Sequence, residues 1–152
     1  MERKLLAVRC LGIENGKFCL DHTGRGKDLS PELILEGLSP EAEALAVVLE
    51  DMSHPIKGFT HWVIWNLPAS DRIPGGILAG KCVPGGGVQG VAYGLHRYAG
   101  PKPPKGKTHA YRFTVYALDC ALDLGSGARK NAFLRAAEGH VLQSGSISGK
   151  FE

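Results

Sequence analysis

The sequence predicts a mainly antiparallel β domain with peripheral helix, and three observations carry that prediction. Two runs, "FTHWVIWNLP" (59–68) and "YRFTVYALD" (111–119), are dense in β-branched and aromatic residues, the composition that suits a pleated, half-buried surface. A third run, Ala44 to Leu49, is apolar without alternation, as expected of a strand covered on both faces. Helical spacing of apolar residues is clear in one late segment only. A chain of 152 residues fits one domain, taken here as 1–152.

Taken in order, residues 5–12 and 17–20 are short apolar runs separated by the turn signal Glu14-Asn15-Gly16, and together they read as a hairpin. "GRGKDLSPEL" (24–33) reads as a loop, its path extended before Pro31. "SPEAEALAVVLED" (39–51) starts polar, so a helix over 40–48 competes with a strand; Val47, Val48 and the breakers after Asp51 favour the strand. Along 59–68 a period of two puts His61, Val63 and Trp65 on one face, and Trp62, Ile64 and Asn66 on the other. Residues 70–108 form a long loop rich in glycine and proline, a feature usually tied to function or to disorder. The same period along the next strand aligns His109, Tyr111, Phe113, Val115 and Ala117. In "GARKNAFLRAAEGH" (127–140), Phe133, Leu134, Ala136, Ala137 and Val141 recur at helical spacing, and Gly139 is placed to stop the helix. The tail "VLQSGSISGKF" reads as a last strand.

Composition narrows the function classes. The net charge of +3 is small and its lysines and arginines are scattered, which argues against nucleic acid as a partner. The basic start lacks the long apolar core of a secretory signal, and no apolar run reaches transmembrane length, so a cytoplasmic protein without stable membrane insertion is expected. Four widely spaced cysteines with no C-x-x-C read as structural thiols of a reducing compartment.

The segment "GPKPPKGKTHAY" (100–111) concentrates the chemistry. Gly106-Lys107-Thr108 imitates the end of a phosphate-binding loop. However, Gly100 lies one residue too far upstream, three prolines lack the required N–H donors, and a strand follows where a helix belongs. The prolines read instead as a rigid wall presenting His109 and Tyr111 on one side, with the lysines facing solvent. Asp51 and His61, at the ends of two other strands, complete a candidate set of one acid, two imidazoles and a phenol. Such donors suit an anion, with Asp51 orienting an imidazole or holding a ligand ammonium group. The competing reading is an enzyme in which Asp51, His54, His61 and His109 hold a metal or exchange protons. No G-x-S-x-G or nearby cysteine supplies a nucleophile, so a non-enzymatic protein without a cofactor is favoured.

Five segments in order resemble the phosphatidylethanolamine-binding protein family, in its short Raf-kinase-inhibitor-like bacterial and archaeal branch. They are "DLSPEL" (28–33), "LAVVLEDMSHP" (45–55), "FTHWVIWNLP" (59–68), "YAGPKPPKGKTHAYRFTVYALD" (98–119) and "AAEGHVL" (136–142). The resemblance implies two antiparallel β-sheets with peripheral helices and a small anion pocket at one end, built from Asp51, His61, Gly100, Pro103, His109 and Tyr111. It further implies a phosphate-like or phosphorylated ligand, a kinase or protease as a regulated partner, and homodimers among bacterial members. The chain departs from the family pattern at Met52, Ser53 and His54 after the acid, at Ala110 where an arginine is usual, in "VAYGLHRY" (91–98), and at Phe151.

Overall fold

The computed structural model describes residues 5–152; the basic start at 1–4 lies outside the described residues. In chain order the elements are β1 (Ala7–Cys10), β2 (Ile13–Glu14), β3 (Lys17–Phe18), β4 (Leu33–Glu36), β5 (Ala44–Asp51), β6 (Phe59–Pro68), β7 (Arg72–Ile73), β8 (Cys82–Val83), β9 (Gly87–Gln89), β10 (His109–Leu118), α1 (Lys130–Ala137) and β11 (Val141–Phe151). A 3₁₀ turn covers Leu20–His22. The strands form a three-stranded sheet, β1-β4-β7, and an eight-stranded sheet, β2-β3-β11-β10-β5-β6-β9-β8. The predicted mainly β, two-sheet fold is therefore present. Its pairings are antiparallel apart from a single parallel residue pair, Lys17 opposite Lys150, between β3 and β11.

The apolar run 44–49 is the central strand of the large sheet. Leu45, Val47 and Leu49 enter the core between the two sheets, with Leu33, Leu35, Trp62, Ile64 and Phe113. Ala46 and Val48 enter a second core under α1, with Val63, Trp65, Leu118 and Phe133. Both faces are dry, which explains the missing alternation and excludes the competing helix. On β10, Tyr111, Phe113, Val115 and Ala117 are buried on one face as their period requires.

Four expectations need correction. Residues 7–10 are not part of the first hairpin: β1 pairs with β4 in the small sheet, and the turn at Asn15-Gly16 joins β2 to β3. Both turn residues have positive φ, 50° and 76°, the hairpin geometry that Asn-Gly favours. The loop read over 24–33 ends in the unforeseen strand β4, and the long 70–108 segment is tacked to both sheets by β7, β8 and β9. The helix is shorter than its pattern, and Leu134 lies on its outer side, 39% exposed.

The fourth correction concerns β6. The ladder with β5 slips twice, between Leu45 and Val47 and between Leu49 and Glu50. At each slip β6 carries one extra residue, a bulge that resets the alternation. At the first, Asn66 adopts φ 57° and leaves the core, and Leu67 takes the place predicted for it. The freed Asn66 amide brackets Leu122, donating to its carbonyl at 2.9 Å and accepting its N–H at 2.7 Å. At the second, His61 turns away from Val63 and Trp65 and packs edge-on against Tyr111, with ring centroids 5.3 Å apart.

Phe133 is fully buried, stacked 5.9 Å from Trp65 and edge-on 5.5 Å from Tyr116. Replacing Phe133 with Ala should cost about 3–5 kcal/mol in a denaturant titration, because it opens a cavity in the second core.

Candidate functional site

A cleft of about 720 Å³ opens where β5, β6 and β10 end. Asp51 is the last residue of β5 and lies opposite Tyr111 on β10. His109, two residues before Tyr111, projects to the same side, and its Nδ1 lies 2.7 Å from Asp51 Oδ2. A carboxylate can only accept here, so His109 carries the proton on Nδ1 and keeps Nε2 as its second ring nitrogen. The other Asp51 oxygen accepts the Ser53 backbone N–H at 2.9 Å. With the side chain 4% exposed and both oxygens engaged, Asp51 is a fixed charge at the cleft floor.

His61 is equally fixed. Its Nδ1 donates to the Ala99 carbonyl at 2.8 Å, so in the neutral ring Nε2 bears the lone pair. Burial lowers its pKa below the ordinary 6.5, because a charged imidazole is poorly solvated there. The carbonyls of Ala99 and Gly100 and the Asp51 carboxylate act in the opposite, smaller sense.

Tyr111 is fully buried, and its hydroxyl O–H finds no acceptor among the protein groups around it. Burial drives its pKa upward, helped by Asp51 and Tyr93; the nearby Lys102 amide and the Arg25 charge offset a part. The phenol stays protonated, a donor without an acceptor.

The wall opposite is the proline segment. Pro103 and Pro104 line the cleft together with Lys102, Lys107 and Thr108. Residues 24–25 clamp it from behind: the Gly24 N–H donates to the Pro101 carbonyl at 2.9 Å, and Arg25 donates to that of Pro103. Lys102 and Lys107 are solvent-exposed, as expected, yet they also form part of the lining.

The predicted residues Asp51, His61, Pro103, His109 and Tyr111 all line this cleft. Gly100 sits behind it. Its N–H donates to Asp28 Oδ1 at 2.7 Å, and a β-carbon there would lie 2.5 Å from the His22 carbonyl oxygen. Gly100 thus lets two loops pack in contact, and its carbonyl backs His61.

Tyr93 was missed, because nothing in its spacing marks it. It shares a turn of positive φ with Gly94 (55° and 67°) and closes the rim edge-on to His61, 4.9 Å away, and to Phe59, 5.0 Å away. His54 stacks on Phe59 at 4.0 Å. The departures at Ser53 and Ala110 are partners: the Ala110 N–H donates to Ser53 Oγ at 2.9 Å, and the Met52 N–H to the Ala110 carbonyl at 2.7 Å.

Fold and site together define a two-sheet β protein with a polar cleft at one end of its large sheet. A family model described as phosphatidylethanolamine-binding protein matches residues 12–152, and the chain belongs to that family. It is 41% identical to a UPF0098 protein of Pyrococcus horikoshii over 99% of this chain and 78% of that one. It is 36% identical to the UPF0098 protein YbhB of Escherichia coli, covering 83% of each. Among solved structures, a phosphatidylethanolamine-binding protein homologue from Chlamydia trachomatis superposes with a TM-score of 0.85 at 26% identity, over 97% of both chains. YbcL of E. coli, described as a member of the mammalian family, superposes with a TM-score of 0.84 at 25% identity, over 97% of this chain and 98% of that one. Among the described residues no helix is long and apolar enough to cross a membrane.

Two substitutions separate architecture from chemistry. Gly100→Ala should lower the denaturation midpoint, because the new methyl collides with backbone on the facing loop. Tyr111→Phe should leave stability unchanged or raise it by about 1 kcal/mol, because it removes a desolvated hydroxyl that gains nothing in return.

Proposed function

We propose that the chain is a non-enzymatic binding protein whose cleft takes a small anion, either a phosphate-like ion or the phosphorylated end of a larger ligand. The observation that carries this reading is the buried Tyr111 hydroxyl, which has no acceptor of its own. A buried donor left unpaired costs free energy, and an oxyanion in the cleft would recover it. The surroundings support the same choice. His61 and His109 each present a second ring nitrogen, Lys102 and Lys107 line the mouth, and Arg25 backs the wall. Asp51 is compatible with an anion because its charge is spent on His109 and the Ser53 amide, and it leaves room for a neighbouring ammonium group.

The role of His61 depends on its proton. Burial lowers its pKa below 6.5, so at pH 7 the ring is neutral and offers a lone pair, which suits a singly protonated phosphate. To donate to a fully ionised anion it must first take up a proton. In the unbound protein the unfolded chain binds that proton more readily than the fold does. The His61 contribution to stability is therefore lost as pH falls below 6.5, and a bound anion reverses the balance.

Sulfate, which stays fully ionised, isolates the protein's own titration. Its affinity should rise by up to about tenfold per pH unit as pH falls toward the lowered His61 value, and then level off. The His61→Gln variant should lose most of this slope. Titration calorimetry and the His61 and His109 ring signals in NMR measure it. The reading fails if phosphate, phosphoethanolamine and sulfate all leave both rings unperturbed, or if Tyr111→Phe binds them as tightly as the parent chain.

A further inference from the structure

Leu118 closes β10 at the end remote from His109, ten strand residues or roughly 30 Å from the cleft. Just beyond it, Asp119, Cys120 and His140 converge, with their ligand atoms all within 4.8 Å of one another. Asp119 Oδ1 lies 2.9 Å from His140 Nδ1, and Cys120 Sγ lies 3.4 Å from the same nitrogen. We propose that these three side chains bind one divalent transition-metal ion of the Zn²⁺ class.

The geometry argues for a shared centre over a nucleophile relay. In a Cys-His-Asp relay the acid takes one ring nitrogen and the thiol takes the other. Here acid and thiol both lie against Nδ1, and the thiol also hydrogen-bonds Asp119, so the three groups close on one point and no line of relay runs through the ring. Bond lengths of about 2.0–2.3 Å around a tetrahedral ion place its ligand atoms about 3.3–3.6 Å apart. The thiol is already at that spacing, and the carboxylate need retreat only a few tenths of an ångström.

A thiolate, an imidazole and a carboxylate together suit zinc, whereas calcium and magnesium prefer all-oxygen sets. The His140 and Asp119 side chains are 45% and 43% exposed, which leaves a fourth position open to water. On loading, the thiol proton passes to solvent and the Nδ1 proton of neutral His140 moves to Nε2.

The backbone holds the three in place. Asp119 donates its N–H to the His140 carbonyl at 2.9 Å, and His140 donates its own to Ala137 at 2.9 Å. Gly139, with φ 81°, supplies the reversal that brings His140 back from α1. Consecutive residues of a strand face opposite ways, but the β10–β11 ladder slips at Ala117/Leu118 and then ends, so Asp119 and Cys120 reach one centre. The bound ion would staple the end of β10 to the turn between α1 and β11.

The test uses the full chain, reduced and stripped with chelator, and titrated with Co²⁺ and then with Zn²⁺. One equivalent of Co²⁺ should bind with a thiolate-to-cobalt charge-transfer band, and Zn²⁺ should displace it and raise Tm. Cys120→Ser should abolish the band. His140→Ala and Asp119→Asn should each weaken binding by more than the roughly 10–100-fold that loss of an outer-shell partner costs. Asp119→Asn preserves side-chain size, so it remains informative if His140→Ala folds poorly. His109→Ala, in the remote cleft, should bind Co²⁺ like the parent chain. The proposal is overturned by an absence of stoichiometric binding, by a band that survives Cys120→Ser, or by equal loss in His109→Ala.

Discussion

Burial of β5 on both faces is the constraint on which the rest depends. An eight-residue strand can be dry on both sides only if a second sheet covers one face and α1 with its approach covers the other. The layering of the molecule follows from that requirement. So does the state of Asp51, which ends the driest strand and is held nearly out of water. A carboxylate in that position must be neutralised or fully bonded. His109 and the Ser53 amide supply the bonds, and supplying them fixes the floor of the cleft.

The cleft is built from groups whose first obligations are structural. His61 spends one nitrogen on Ala99, His109 spends one on Asp51, and Arg25 is committed to the proline wall. What remains uncommitted is the second nitrogen of each ring and one phenol. Their directions are set before anything binds, because each ring is locked by its other contact. If the proposed anion binds there, it would meet donors already ordered and avoid much of the ordering cost that flexible donors incur.

Strands whose reason for being strands is local were legible in the sequence. β5, β6, β10 and β11 carry enough β-branched and apolar residues, or a clear enough position, to be read unaided. β4, β7, β8 and β9 were not, because strands of two to four residues exist only through the partners that pair with them. Five of the six expected site residues line one cleft because their motif fixes chain order near strand ends. Gly100 was harder, since a glycine's motif position does not say whether it faces a ligand or a neighbouring loop. The Asp119, Cys120 and His140 cluster left no trace in spacing. Asp119 and Cys120 are adjacent, but His140 lies twenty residues beyond Cys120 and meets them only because α1 and Gly139 fold the chain back.

The two bulges of β6 act as a pair. Eight residues of β5 are spanned by ten of β6, and two extra residues amount to one full pleat. Either bulge alone would leave the two ends of β6 with opposite facing. Together they restore the parity, so that only the stretch between them runs out of phase with the ends. The strand thereby hands Asn66 to one neighbour and His61 to another while its ends stay in register with the sheet. A single-residue insertion or deletion between Thr60 and Leu67 would therefore be felt at both ends of the strand, and a compensating change would have to come from β6 itself.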